Sequence, residues 1–305
     1  MKAVALAELL GDTFGKVIAN DAVRSSFTVT AGKRLLAVDG ANLSVVHAWP
    51  LEVGAPGWHA SLPDEGLALV SGSDRVALLE AGGSPRWSFT HAPWGGVASS
   101  GIESGCAWFD TYRRPFAVVP APDYNGCTIV QLDISTGTPI VWVPIAAFPA
   151  GISPVHHPDG WVGLSEGEGQ DAARTWWVQV SDGEPGRLNL LDAGWDDLVL
   201  ADVHPKGDRV LTTPHASGPL TVRSFPGLEV KRAVQPPSDE DTWDFEACFV
   251  RDCVVARLLN DTERAVTVDP GGHVQELDCG PGMLVPASDS WLTVEPTRVR
   301  RWTLA

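Results

Sequence analysis

The sequence predicts an all-β fold, a seven-bladed β-propeller of four-stranded antiparallel blades, and three observations carry that prediction. Gly137, Gly183, Gly227 and Gly271 occupy equivalent turns and lie 46, 44 and 44 residues apart. Short β-branched or aliphatic runs alternate with turns built from Pro, Asp and Gly, as strands joined by tight turns require. The 31 Gly and 24 Pro are spread along the chain rather than clustered. A period of this length fits four strands per blade.

The clearest unit is the segment 197–232, four short strands with a turn between each pair. Its turn at 203–209 feeds a strand over 210–213. The same arrangement recurs where 29–34 feeds 35–38, 62–66 feeds 67–71 and 155–161 feeds 162–165. Its second hairpin, 220–232, recurs at 43–53, 75–89, 127–143, 174–190 and 264–277. A seventh unit is incomplete: 290–294 and 298–304 are clear strands and 283–286 is a weak third. The N-terminus supplies the missing outer strand, through either 3–8 or 16–20; the segment 3–10 also permits a short helix. Closing the ring with the two termini removes the exposed edges of an open sheet. Dividing the 305 residues by seven gives about 44 per blade, whereas six blades would need about 51. The expectation is one propeller domain over 1–305.

Period and turn chemistry resemble those of the WD-repeat β-propellers, and the chain looks like a divergent bacterial relative of that family. The resemblance covers nearly the whole chain. The Trp-Asp that closes the family's third strand and the Gly-His that opens its repeat are absent in register. Trp195-Asp196 and Trp243-Asp244 precede first strands instead. The family's Asp-His-Ser-Trp network therefore maps onto no residues here, and the resemblance implies fold rather than function.

The formal net charge of −16 makes nucleic acid and anionic membrane surfaces poor partners, because phosphate binding needs a basic patch. An acidic balance suits a basic partner, and it also suits plain solubility. The five cysteines, Cys106, Cys127, Cys248, Cys253 and Cys279, form no C-x-x-C pair and are odd in number. Buried free thiols in a reducing compartment fit better than a disulfide framework. The apolar N-terminal run is broken by Glu8, and no run approaches the ~18 residues of a membrane span, so a cytoplasmic location is expected.

In a four-stranded blade, the turns between second and third strands share one face of the disc with the links between blades. That face collects the long loops, and longer loops on a rigid scaffold are the better binding candidates. They bring Tyr124, Glu166, Glu168, Asp171, Asp239, Glu240 and Asp241 onto it. The links also carry Trp58, Trp94, Trp195 and Trp243, each just before a first strand. Two placements are open for these: an aromatic ring around the channel mouth, or wedges between adjacent blades. Trp49, Trp87, Trp108, Trp142, Trp161, Trp176, Trp177, Trp291 and Trp302 lie in strands or short turns and are expected to pack.

No catalytic or metal-binding residues are identified. His156 and His204 are taken as equivalent turn positions of neighbouring blades, so their spacing reflects the repeat and not a ligand set. Glu166, Glu168 and Asp171 lack the ligand spacing of a calcium loop. There is no G-x-S-x-G elbow and no Gly-rich loop opening a helix. The sequence points to a non-catalytic protein or peptide interaction module with no cofactor, binding a basic segment on the acidic, Trp-containing face. The alternative is a propeller hydrolase or lyase with a divalent metal at the central channel.

Overall fold

A computed structural model describes residues 1–11, 13–51, 57–94, 105–121, 126–147, 151–167, 173–180, 187–194, 197–259 and 264–305. It consists of seven four-stranded antiparallel sheets. The N-terminal strand β1 is Ala3–Leu10. Blade I comprises β2 (Phe14–Ala19), β3 (Ser26–Ala31), β4 (Arg34–Asp39) and β5 (Val45–Pro50). Blade II comprises β6 (Trp58–Leu62), β7 (Leu67–Ser71), β8 (Arg75–Leu79) and β9 (Pro85–Thr90). Blade III comprises β10 (Cys106–Phe109), β11 (Pro115–Pro120), β12 (Cys127–Leu132) and β13 (Pro139–Ile145). Blade IV comprises β14 (Gly151–His156), β15 (Trp161–Gly167), β16 (Ala173–Val180) and β17 (Leu188–Asp192). Blade V comprises β18 (Leu198–Val203), β19 (Arg209–Pro214), β20 (Leu220–Ser224) and β21 (Val230–Val234). Blade VI comprises β22 (Thr242–Val250), β23 (Cys253–Leu259), β24 (Arg264–Val268) and β25 (Val274–Leu277). Blade VII comprises β26 (Met283–Ala287), β27 (Ser290–Glu295) and β28 (Arg298–Leu304), and β1 is its outer strand.

Of the two N-terminal segments that could close the ring, it is 3–10 that does so. β1 runs antiparallel to β28, from Ala3 opposite Leu304 to Leu10 opposite Arg298, and the segment is a strand rather than a helix. Glu8 anchors the pairing through Arg300, 2.8 Å away. The segment 16–20 belongs to β2, the innermost strand of blade I.

Strand alternation sorts the loops onto two faces, and backbone bonds record the sorting. The Gly11 N–H donates to Thr297 O and the Gly32 N–H to Thr13 O, both at 3.2 Å, joining a blade link to two turns between second and third strands. This is the link face. On the opposite, hairpin face, the Gly40 N–H donates to Ser25 O at 2.9 Å and the Ala305 N–H to Lys2 O at 3.0 Å.

The core is divided by blade. Each sheet turns an apolar face to the next, so a separate cluster fills each gap between neighbours. Leu35, Ala37 and Trp49 of blade I meet Ala68, Ala77 and Leu79 of blade II. Trp108, Phe116 and Ile129 of blade III meet Leu164 and Trp176 of blade IV. Leu211, Leu220 and Val222 of blade V meet Trp243, Phe249 and Val254 of blade VI. Blade VII meets blade I through Leu292 and Val299 against Phe14 and Phe27. Each fully buried Leu, Val or Phe contributes about 1.5–3 kcal/mol relative to exposure, so every interface is a core in its own right.

Two expectations need correction. The histidines at equivalent turns are His157 and His204, not His156 and His204. The Asp159 N–H donates to His157 Nδ1 at 3.1 Å, and the Lys206 N–H donates to His204 Nδ1 at 3.2 Å. Each ring then presents Nε2 to the first hairpin turn of the next blade, at Gly207 O (2.8 Å) and Arg251 O (3.1 Å). The repeated histidine is thus a staple between blades. His156 is the last residue of β14 and belongs to the channel wall. The second correction concerns Trp142. It does not pack in the core but is 54% exposed, because it lies on the outward-facing positions of an outermost strand.

Candidate functional site

The central channel is lined by the innermost strands, and its two ends differ. At the hairpin-face end a six-residue turn, 20–25, leaves blade I. Asn20 fixes the start of that turn: its side-chain carbonyl accepts from Thr28 Oγ1 at 2.5 Å and from the Ser61 N–H of blade II at 2.9 Å. Asp21 accepts from Ser25 Oγ at 2.7 Å. Arg24 then takes a left-handed backbone conformation, φ 57°. From there its guanidinium reaches across to Asp202 on β18 of blade V, and both side chains are buried. Blades I and V are not neighbours, so this ion pair bridges the channel.

Asp202 is held from two further sides. It accepts the Val203 N–H and, from blade VI, the Phe249 N–H, each at 2.7 Å. Burial pushes the Asp202 carboxyl up, while Arg24 and the two amides pull the other way. On the same wall, burial pushes the His156 imidazole down to about 4, Asp21 opposing and Arg24 adding to the fall. On blade II, His59 is fully buried; that burial, with the charge of Lys16 beside it, pushes its imidazole down to about 3.

The link-face end carries the exposed chemistry. In β22, Trp243 pairs with Leu258 but Ala247 pairs with Ala256, so Asp244, Phe245 and Glu246 lie opposite the single residue Arg257. A bulge of this kind re-aims side chains at a sheet edge. Here it turns Phe245 out of the core, to 46% exposure. The Phe245 ring stacks on His215, 5.7 Å between centroids and 10° between planes. Asp197 stands 3.3 Å from His215 Nδ1. The bulge is anchored on both sides. Asp244 accepts the Phe245 N–H at 2.6 Å, and Glu246 accepts the Leu284 N–H of blade VII at 2.6 Å. Arg257 is buried beside Glu246 and donates to Gly280 O and Gly282 O.

The sequence-derived site residues divide. Asp239 and Glu240 are exposed on the link that enters β22, beside the bulge. Asp241, next in line, is buried instead, accepting from Ser238 Oγ at 2.8 Å and from Arg264 at 2.5 Å. Trp58 is half-buried at the mouth, with Lys16 Nζ 4.8 Å above its ring and bonded to Gly57 O at 2.5 Å. Trp94 and Trp243 are 5% and 2% exposed and wedge between strands; the Trp243 indole donates to Val234 O at 3.0 Å. Neither offers contact area to a partner, because the links fold their rings under the mouth. Glu166 is buried within β15 rather than displayed on a loop. Trp195, Tyr124, Glu168 and Asp171 lie outside the described residues.

Phe245 escaped sequence reasoning for a definite reason. Trp243, Phe245, Ala247 and Phe249 alternate with period two, so pattern alone buries all four on one face. The single available signal was local: Phe245 sits between two acids, Asp244 and Glu246.

Among the described residues, no three His, Cys, Asp or Glu side chains group to hold a metal, and no helix is long and apolar enough to cross a membrane. Cys106, Cys248, Cys253 and Cys279 are free thiols. Burial pushes the Cys127 thiol up to about 12 and Cys106 further still, which holds both protonated.

No family model matches the chain, and no curated protein matches it. Among solved structures it is similar to the β-propeller domain of Myceliophteria thermophila Cps50 (Swd1), with a TM-score of 0.64 at 10% identity, over 99% of this chain and 100% of that one. At that identity the likeness concerns architecture alone, and it agrees with the strand order: the chain folds as a seven-bladed β-propeller.

Proposed function

We propose that residues 1–305 act as one propeller domain whose task is non-catalytic: it is a protein-interaction scaffold that binds a basic peptide segment at the link-face mouth of the channel. One observation carries this. The β22 bulge holds a large aromatic ring, Phe245, in solvent against His215, which in turn stands by Asp197, and the exposed carboxylates Asp239 and Glu240 lie on the link that leads into the same strand. An aromatic face flanked by carboxylates attracts lysine and arginine side chains through the ring quadrupole and simple charge complementarity. The Arg24–Asp202 pair spans the channel at the hairpin-face end, which favours the link face as the side of approach. Trp58, half-buried across the mouth, adds a second aromatic surface. The buried free thiols Cys106, Cys248 and Cys279 suit a reducing, cytoplasmic setting.

The test is titration of a fluorescent Lys/Arg-rich peptide, with a Glu-rich peptide as control. The basic peptide is expected to bind and to weaken with salt, and Phe245→Ala and Asp239→Asn/Glu240→Gln are expected to weaken it about tenfold each, about 1.4 kcal/mol. Equal binding of both peptides, or variants indistinguishable from the parent, would refute the proposal. No specific observation favours the metal-dependent hydrolase reading.

A further inference from the structure

Arg34, Arg75, Arg264 and Arg298 occupy one repeat position: each opens the third strand of its blade, at β4, β8, β24 and β28, on the link face. Their blades, VI, VII, I and II, are consecutive round the ring. In blades VI and VII carboxylates close off the guanidinium. Arg264 stands 2.5 Å from Asp241 and 2.7 Å from Glu276. Arg298 stands 2.7 Å from Glu295 and 3.7 Å from the Glu8 carboxylate. In blades I and II the same position is open: Arg34 and Arg75 are exposed and form no ion pair with any described residue. Lys33, in the turn before Arg34, is exposed and unpaired as well. The one carboxylate in the turns 32–33 and 72–74 is Asp74, and it makes no ion pair with Arg75. Three cations against one carboxylate make a basic sector on a chain whose net charge is −16.

This sector faces the Phe245 bulge across the channel. Blade I is three places from blade V, and blade II three from blade VI, the largest separation that a ring of seven allows. The exposed charges at the mouth therefore divide. Asp197, Asp239 and Glu240 lie on one side, and Lys33, Arg34 and Arg75 lie on the other.

We propose that Arg34 and Arg75 bind the carboxylates of an acidic stretch in the same segment whose basic stretch sits at Phe245, so that the partner is a peptide of split charge lying across the mouth. This rests on the basic-peptide reading above and extends it. Arg264 and Arg298 show what the position takes: carboxylates from two side chains each, which the planar guanidinium suits. The two open copies present the same group to a carboxylate from outside. The far side of the mouth narrows the partner further. A nucleic acid laid on Arg34 and Arg75 runs on into Asp239 and Glu240, where its phosphates are repelled. A segment basic throughout meets Arg34 and Arg75 with like charge. A chain whose sign changes along its length is complementary to both sides.

Fluorescence anisotropy of the full chain with three labelled peptides tests this. The first is a Lys/Arg block joined to a Glu block through about ten uncharged residues, ~30 Å when extended. The second carries Gln in place of Glu, and the third is the Glu block alone. The Glu-tailed peptide is expected to bind the parent about tenfold more tightly than the Gln-tailed one, an advantage that shrinks at high salt. Arg34→Ala and Arg75→Ala are each expected to remove about threefold of it, and the double variant all of it. Gln-tailed binding is expected not to weaken in any of them, and the unfolding midpoint to stay unchanged. Lys206→Ala, which removes an exposed cation from the hairpin face, is expected to leave the advantage intact. Equal affinity of the parent for the Glu-tailed and Gln-tailed peptides, or an advantage that survives in the double variant, would overturn the proposal. A Gln-tailed peptide that fails to bind, with a Glu block that binds the parent but not the double variant, would refute the basic-peptide reading and keep Arg34 and Arg75 as a carboxylate site.

Discussion

Arg24 of blade I and Asp202 of blade V form a buried ion pair across the central channel, joining two non-neighbouring sectors of the ring. Asp202 also accepts an amide from blade VI, so one carboxylate holds three blades in register.

The pair should be far costlier to break than to replace. Leaving one buried charge uncompensated is expected to cost about 3–5 kcal/mol, whereas exchanging both partners for apolar residues of similar size is often near neutral. Arg24→Met alone is therefore expected to lower stability by that amount in urea unfolding. Arg24→Met with Asp202→Leu should recover part of it, limited by the amides of Val203 and Phe249 that lose their acceptor. Equal loss in the single and double variants would show that the charge pairing is not what matters.

Stability should fall as pH drops below 6.5. The folded protein holds His59 down to about 3 and His156 at about 4, against an ordinary value of 6.5. The unfolded chain then binds protons that the folded one refuses. Their contribution is fully present above pH 6.5 and is lost as pH falls toward 4, at about 1.4 kcal/mol per pH unit for each histidine. His59, fully enclosed, should dominate; His156 keeps part of its surface open to the channel and should contribute less. Urea midpoints measured from pH 7 to 4.5 check this, and His59→Phe is expected to flatten the profile. A parent profile flat over that range would contradict it.

Removing residues 1–10 should open the ring. It strips blade VII of its outer strand, exposing the edge of β28 and uncovering Leu304 and Val299. The expected result is a lower unfolding midpoint and concentration-dependent aggregation, as exposed edges invite foreign strands. A truncated chain as stable and monodisperse as the parent would show that β1 is dispensable.

The architecture was legible in the sequence because its causes are local. Turn residues such as Gly137 and Gly227 set hairpins within a few positions, and the period then counts the blades. The site was less legible because its causes are not. Arg24 and Asp202 are 178 residues apart, and nothing near either announces the other. Phe245 obeys the period that buries its neighbours and is released only by a bulge. Trp94 and Trp243 belong by position to links on the link face, yet their rings turn inward. The one-residue error at His156 arose because two adjacent histidines offer two registers, and only the Asp159 amide on His157 chooses between them.

The strand β1 carries a consequence for how the chain is made. Ala3 finds its partner in Leu304, so β1 precedes every other strand of the ring and pairs only after the last of them is made. Blades I to VI can assemble in order as they emerge, each against its predecessor. β1 must wait, unpaired, until the final blade arrives. Closure of the ring is thus a contact of nearly maximal sequence separation, the kind whose loop entropy slows folding most. During that interval the face that closure covers, with Ala3, Ala7 and Leu9, stays open to chaperones, or to misassembly with another nascent copy.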